Sequence, residues 1–257
     1  MSAPTALVTG GAQRLGRAMA LALAGAGYGV VIHYNTSKAP AEELAKELCA
    51  GGGRSVAIGR DLSDAGAAGA LVEEAREALG PLTLLINSAS TYDSDTLASM
   101  SETSWAALNN VNVFAPVMLM QAFAAQAAGT FPKPGSGSIV NMLDVQLSSP
   151  SPQFFSYFCA KAALEAATRL AAVELAPAIR VNAIAPGLVL PSWGQTDAEF
   201  AARQRLMPLG EGLGAKDIVK AMLFLVETKH VTGHVIPVDS GQRLLGFGNA
   251  DVTPTPF

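Results

Sequence analysis

Near its N-terminus the chain reads Thr5-Ala6-Leu7-Val8-Thr9-Gly10-Gly11-Ala12-Gln13-Arg14-Leu15-Gly16, and this stretch decides the fold. The apolar run at its start is typical of a buried strand, and the helical pattern after it ends at Gly27. A second strand, 29–34, follows at once. Strand, glycine-rich turn, helix and strand form the phosphate-binding half of a dinucleotide fold, because backbone N–H groups approach a pyrophosphate at the helix N-terminus. A tight turn without a ligand is the alternative, and the complete unit favours cofactor binding.

Strand and helix patterns alternate along the rest of the chain. Val-, Ile- and Leu-rich strands separated by helices predict an α/β, Rossmann-type, doubly wound and mostly parallel sheet with helices on both faces. We expect a single domain over 1–257, with a substrate lid at 188–213 and a tail at 246–257; a disordered surface loop is the alternative for 188–213. Further predicted strands are 55–58, 82–86, 138–141, 180–185 and 235–238, and predicted helices are 65–79, 102–126, 157–175 and 215–226.

Composition narrows the functional class. With 257 residues, half of them hydrophobic, the chain can bury a substantial core. Its net charge of −4 and the absence of a basic run argue against nucleic acid or an anionic membrane as partner. No apolar stretch reaches the roughly 18 residues of a membrane span, and no basic segment precedes an apolar one at the N-terminus, so we expect a cytoplasmic protein. Two cysteines predict neither a disulfide framework nor a metal site.

The end of the second strand indicates which dinucleotide binds. An NAD site usually carries an acidic residue there, but the sequence from His33 to Lys38 contains none. Arg14 and Lys38 are cations that can meet a 2′-phosphate, and Asn35, Thr36 and Ser37 are small hydrogen-bond donors. These residues predict an NADP(H) site; solvated loop side chains are the alternative.

A tyrosine and a lysine one helical turn apart form the candidate catalytic pair. Tyr157 and Lys161 project from the same helix face. A cation so placed is expected to lower the pKa of the phenol from about 10, which makes Tyr157 a candidate general acid or base. An aromatic residue packed beside a solvated lysine is the alternative.

Six motifs occur in the order seen in one superfamily: the Thr-Gly-x-x-x-Arg-x-Gly turn, Asp61 in Arg-Asp-Leu-Ser, Asn87-Ser88-Ala89-Ser90, Asn112, the pair Tyr157 and Lys161, and Pro186-Gly187. Over about residues 4–245 the chain therefore resembles the short-chain dehydrogenase/reductase superfamily. Four further details resemble its pteridine reductase branch. They are Gln13-Arg14-Leu15-Gly16, His33-Tyr34, Asn87-Ser88-Ala89-Ser90, and Asn141-Met142-Leu143-Asp144, with aspartate where the family usually has its catalytic serine.

The resemblance implies roles for individual residues. Tyr157 protonates the substrate, Lys161 holds the nicotinamide ribose, and Asn112 orders a water in the proton relay; a capping or core amide is the alternative for Asn112. Asp61 accepts from the adenine amino group, with a solvated turn aspartate as the alternative. The implied cofactor-binding residues are Gly10, Arg14, Leu15, Gly16, His33, Asn35, Thr36, Ser37, Asp61, Leu62, Asn87, Ser90, Tyr157, Lys161, Pro186, Gly187 and Leu188.

Asp144 links the chemistry to a substrate class. An ionised carboxylate only accepts hydrogen bonds, so it suits a substrate rich in N–H groups, such as a pterin, better than a ketone oxygen. Two other roles are open: Asp144 can orient and protonate the system through Tyr157, or a raised pKa can make it an acid. Tyr92 lies where pteridine reductases carry an aromatic that stacks on the pterin, and Ser90, Tyr92, Asp144 and Tyr157 are the implied substrate-binding residues. A branch that simply lost the serine and reduces another imine or carbonyl is the alternative.

The sequence therefore predicts an NADPH-dependent reductase of dihydrobiopterin- or dihydrofolate-like pterins. A general short-chain reductase of ketones, sugars or acyl thioesters is one alternative. A cofactor-binding regulatory protein without turnover is the other, and it is disfavoured because Tyr157, Lys161 and Asn112 are all present. The resemblance further implies a homotetramer.

Overall fold

A computed structural model describes residues 3–64, 66–126, 129–192, 194–210 and 212–245. Seven strands of these segments form one parallel sheet in the order β3-β2-β1-β4-β5-β6-β7. Strand order reverses between β1 and β4, which creates the crevice where such sheets bind ligands. The strands are β1 (Thr5–Val8), β2 (Gly29–Tyr34), β3 (Ser55–Gly59), β4 (Leu84–Asn87), β5 (Gly137–Met142), β6 (Ile179–Pro186) and β7 (Val235–Val238).

Helices cover both faces of the sheet. In β1, Ala6 and Val8 pack in one hydrophobic cluster and Leu7 in another, and all three are fully buried. Such two-sided burial confirms the predicted doubly wound architecture. The helices are α1 (Arg14–Gly25), α2 (Lys38–Ala50), α3 (Ala67–Leu79), α4 (Glu102–Asn109), α5 (Ala115–Ala124), α6 (Phe155–Glu174), α7 (Asp197–Gln204) and α8 (Ala215–Glu227).

The helix predicted over 102–126 is not one continuous α-helix. A π-helical turn, Asn110–Phe114, separates α4 from α5. Within it, the Asn112 side chain donates to the Leu108 carbonyl at 3.0 Å. Such a turn inserts a residue into the helical register and is often found at functional sites. It leaves Asn112 fully buried and facing the candidate site.

The segment 188–213 contains regular structure. Helix α7 begins with a capping box between Thr196 and Glu199, so this part of the segment is helical rather than an irregular loop. The predicted tail, 246–257, lies outside the described residues. Among the residues that are described, no helix is both long and apolar enough to cross a bilayer.

Candidate active site

A buried histidine fixes the glycine-rich turn between β1 and α1. The Gly10 N–H donates to His33 Nδ1 at 3.2 Å, so the ring proton is on Nε2, which faces the Arg60 carbonyl at 2.9 Å. Burial lowers the pKa of His33, and the Arg60 carbonyl and the Asp61 charge oppose that shift. The neutral ring therefore holds Gly10, whose φ of +61° lies in the left-handed region that favours glycine.

The start of α1 offers N–H groups to an anion. Gln13 at the N-cap makes no side-chain capping bond, so it leaves the first N–H groups of α1 to other acceptors. A Cβ on Gly16 would overlap the Gly10 carbonyl, which fixes glycine at that position. Leu15 packs on the core, while Arg14 is exposed and donates to the Pro191 carbonyl at 3.0 Å.

The residues predicted to meet the adenosine end lie beside this turn. Asp61 accepts from the Ser63 backbone N–H at 2.9 Å and hydroxyl at 2.8 Å. These two bonds, and a weaker one from the Asn35 side chain, lower the pKa of Asp61. Leu62 is buried, Ser37 is half-buried, and Asn35 and Thr36 are exposed at the carboxyl end of β2. The loops thus leave an ionised carboxylate at Asp61 and the side chains of Asn35 and Thr36 open to solvent.

Asn87 ends β4 deep in the cleft with half of its amide unsatisfied. Its Nδ2 donates to Asn141 Oδ1 at 2.8 Å, whereas its buried Oδ1 has no partner among the residues that the structure describes. Buried polar atoms normally find a partner, so this oxygen suits a ligand donor. On the other side of the cleft, Pro186 ends β6 and Gly187 and Leu188 follow it; the Leu188 carbonyl accepts from Gln204 Nε2 at 2.6 Å.

The candidate catalytic residues meet behind the end of β5. The Tyr157 hydroxyl donates to Asp144 Oδ2 at 3.2 Å, and the Gln146 backbone N–H donates to Asp144 Oδ1 at 2.8 Å. Lys161 Nζ donates to the Met142 carbonyl at 3.0 Å and lies 5.7 Å from the Tyr157 ring centroid. Tyr157 and Lys161 are 6% and 3% exposed, so their polar groups interact largely without solvent screening.

The electrostatics correct one sequence-based expectation. We expected Lys161 to lower the pKa of Tyr157, but that pKa is raised well above 10, first by burial and then by the charge and hydrogen bond of Asp144. Burial also raises the pKa of Asp144 and lowers that of Lys161 to about 8. A carboxylate next to a buried phenol disfavours the phenolate more than a lysine one turn away favours it. Tyr157 thus stays protonated at neutral pH.

A chain of side chains joins Tyr157 to the π-helical turn. The Ser90 hydroxyl donates to Asn112 Oδ1. When it turns to donate to the Tyr157 oxygen instead, it favours the phenolate, which lowers the pKa of Tyr157 slightly against the larger effects. Asn112 Nδ2 donates to the carbonyls of Leu108 and Thr91 at 3.0 and 2.9 Å. Asp144, Tyr157, Ser90 and Asn112 therefore form one continuous polar network.

Aromatic rings border this network. Tyr92 stacks on Phe154 at 4.3 Å between centroids and meets Tyr157 edge to face at 4.7 Å. Burial and the Asp144 charge raise the pKa of Tyr92 to about 12, although the residue is still 47% exposed. The structure thus brings the Tyr92 ring into contact with the Tyr157 ring.

Sequence analysis did not identify two residues that lie near Tyr157 in the structure, Phe154 and Asp95. Phe154 lies three residues before Tyr157, and an aromatic there is a weak signal on its own. Asp95 lies more than sixty residues from its hydrogen-bond partner Ser156, and nothing in the sequence links the two. In the described segments, no group of three or more His, Cys, Asp or Glu residues could hold a metal ion.

Comparison with known proteins points to one family. The model of the short chain dehydrogenase family matches residues 4–200. Pteridine reductase 1 of Leishmania tarentolae is 35% identical, over 95% of this chain and 97% of the relative. A 3-oxoacyl-[acyl-carrier-protein] reductase FabG of Staphylococcus aureus is 32% identical, over 93% of this chain and 98% of the relative. The crystal structure of FolM alternative dihydrofolate reductase 1 from Brucella canis, complexed with NADP, superposes with a TM-score of 0.89 at 34% identity, over 98% of this chain and 96% of that one.

Proposed function

The chain belongs to the short chain dehydrogenase family, and we propose that it is an NADPH-dependent reductase of dihydrobiopterin- or dihydrofolate-like pterins. The observation that carries this proposal is the Asp144 carboxylate on the Tyr157 phenol, at the position where the family usually has a serine. The similarity of this chain to pteridine reductase 1 and to FolM alternative dihydrofolate reductase 1 supports the proposal. Similarity alone does not decide the substrate, since a 3-oxoacyl reductase is nearly as similar.

The residues of the cleft fit an NADP cofactor. The open N–H groups of α1 and the Gly10 turn suit the pyrophosphate, and Arg14 suits the 2′-phosphate. The orphaned Asn87 Oδ1 suits a ribose or nicotinamide donor, and Lys161 has further N–H groups for ribose hydroxyls. When bound, NADPH supplies the hydride. The remaining cofactor contacts are assigned to Leu15, Gly16, His33, Asn35, Thr36, Ser37, Asp61, Leu62, Ser90, Pro186, Gly187 and Leu188.

The proton comes from Tyr157. Its raised pKa keeps the phenol protonated until transfer and makes the phenolate a strong base. The exposed Ser90 hydroxyl can then donate its proton to the phenolate and take another from solvent, while Asn112 holds Ser90 in place. Lys161 brings a positive charge near the ring as the phenolate forms. Asp144 orients the hydroxyl by accepting from it.

Asp144 also selects the substrate. Its carboxylate is acceptor-only when ionised, so it stabilises N–H groups of a pterin and repels a carbonyl oxygen. Tyr92 offers an exposed aromatic surface on which the pterin ring stacks. A general reductase of ketones or acyl thioesters would instead need a hydroxyl donor at this position. A regulatory protein without turnover would not need the complete network from Asp144 to Asn112.

The test replaces the carboxylate by the family's usual hydroxyl. Asp144→Ser should lower the ratio of kcat/KM for dihydrobiopterin to that for a reactive ketone by roughly a hundredfold, about 2.7 kcal/mol of differential transition-state stabilisation. Asp64→Ser, at an exposed turn, is the matched control and should leave the ratio unchanged. An unchanged ratio in Asp144→Ser would favour the alternative, a general reductase of ketones, sugars or acyl thioesters.

We also propose a cytoplasmic homotetramer. Helix α6 carries Leu170 and Val173 at 71% and 80% exposure, and such apolar side chains suit a subunit interface. Cys49 and Cys159 are free thiols, in keeping with a reducing compartment. Light scattering of the purified protein tests the tetramer, and replacing Leu170 and Val173 by Glu should dissociate it.

A further inference from the structure

Helix α6, which carries Tyr157, has no capping side chain of its own. Phe154 occupies the N-cap position, where Ser, Thr, Asp and Asn are preferred, and makes no side-chain capping bond. The first N–H groups of a helix need acceptors from elsewhere. Here they come from a distant segment of the chain.

Asp95 supplies two of these acceptors. Its backbone carbonyl accepts from the Phe155 N–H at 3.1 Å, and its Oδ1 accepts from the Ser156 N–H at 2.9 Å. Its Oδ2 accepts a short hydrogen bond from the Ser156 hydroxyl. Asp95 is only 7% exposed, so a full set of partners is needed to keep its carboxylate in place. A negative charge is also favoured at a helix N-terminus.

The same segment carries Tyr92. The Asp95 N–H and the Ser94 hydroxyl both donate to the Gln153 carbonyl, at 3.1 and 3.0 Å, and Tyr92 stacks on Phe154. The residues from Tyr92 to Asp95 are thus joined along their length to the residues that lead into Tyr157. Asp95 thus links the segment that carries Tyr92 to the start of the helix that carries Tyr157, its carboxylate holding Ser156 and its backbone holding Gln153 and Phe155.

We propose that Asp95 is a positioning residue that sets the placement of Tyr92 relative to Tyr157. This inference rests on the proposed function, in which Tyr92 stacks on the substrate and Tyr157 protonates it. Loss of the carboxylate would let the start of α6 shift, and a shift of about 1 Å in a catalytic group can cost a hundredfold in rate. Both kcat, through Tyr157, and KM, through Tyr92, would change.

The experiment compares Asp95→Ala, Asp95→Asn and Asp93→Ala in the full chain. Asparagine keeps an acceptor for the Ser156 N–H and can donate to the Ser156 hydroxyl. We expect Asp95→Ala to lower kcat/KM for dihydrobiopterin by about tenfold to a hundredfold, and Asp95→Asn to recover most of it. Asp93, which is exposed on the same segment, should tolerate alanine without loss. NADPH affinity, measured by fluorescence titration without substrate, should match wild type in all three variants.

A second readout does not depend on activity. Amide hydrogen exchange at Phe155 and Ser156 should quicken in Asp95→Ala, while exchange at Leu164 in the middle of α6 stays slow. If wild-type protein failed to reduce pterins, the proposed function would fall, while this exchange pattern would still test the anchor.

Either of two results overturns the inference. One is an Asp95→Ala enzyme as active as Asp93→Ala. The other is a loss of NADPH affinity in proportion to turnover, which would mean a general structural role. If Asp95→Ala does not fold, Ser156→Ala removes one carboxylate contact only, and wild-type kcat and KM in that variant would also refute it.

Discussion

Removing the Tyr157 hydroxyl is the sharpest perturbation of the proposed chemistry. Tyr157→Phe keeps the packing of a residue that is 6% exposed and deletes the hydroxyl that donates to Asp144 Oδ2 and interacts with Ser90. Losing a positioned acid should lower kcat by roughly two to four powers of ten, or about 2.7–5.5 kcal/mol. The fold should survive, because leaving the Asp144 oxygen unpaired costs about 1–3 kcal/mol and a native domain has about 5–15 kcal/mol of stability.

Steady-state NADPH oxidation with dihydrobiopterin measures this effect, with thermal unfolding measured alongside. Tyr28→Phe deletes a phenol remote from the cleft and serves as the matched control. The expected result is a large fall in kcat for Tyr157→Phe alone, with NADPH affinity retained. Turnover at the wild-type level in Tyr157→Phe would refute the assignment of Tyr157 as proton donor.

Three further predictions concern the cofactor, the pH profile and the 188–213 segment. Arg14→Ala should weaken NADPH binding roughly tenfold or more, since a charge-assisted contact contributes about 1.5–3 kcal/mol, and leave NADH binding nearly unchanged; equal losses would refute the 2′-phosphate role. The pKa of Lys161, about 8, predicts that kcat/KM falls above that pH. Lys161 binds its proton more tightly in the unfolded chain than in the folded one, so the free energy of unfolding should rise with pH from about 8 to 10.5. If neither kcat/KM nor the free energy of unfolding changes with pH in this range, the lowered pKa of Lys161 is contradicted. Gln204→Ala removes the hydrogen bonds to the Leu188 and Leu213 carbonyls, so amide hydrogen exchange over 188–213 should quicken. KM should also rise by a larger factor than kcat changes. Unaltered exchange would argue against a lid that Gln204 anchors.

The sheet was predictable because its strands are apolar on both faces. Each predicted strand, such as 5–8, contains a run of consecutive apolar residues, and such a run indicates a buried strand without help from the rest of the chain. Within the described residues, the structure confirms all seven predicted strands to within one or two positions at each end. The helix over 102–126 was predicted without its π-helical turn. Its apolar pattern continues through Asn112, and a side-chain bond from Asn112 to Leu108 leaves no periodic trace in the sequence.

The remaining site features arise from contacts between distant segments. Asp95 caps α6 from sixty-one positions away, and His33 holds Gly10 from the next strand. The pKa of Tyr157 was predicted in the wrong direction, because the sequence shows that Lys161 is one turn away but not how deeply the phenol is buried against Asp144. Burial decides the sign, and burial is a property of the fold.

The central claim is that the chain reduces pterins with NADPH. The most direct test is kcat/KM of the wild-type protein with NADPH for dihydrobiopterin, measured beside dihydrofolate, a reactive ketone and an acyl thioester. We predict that one of the two pterins has the highest kcat/KM and that NADH supports the reaction poorly. A ketone or acyl thioester preferred over both pterins would contradict the claim.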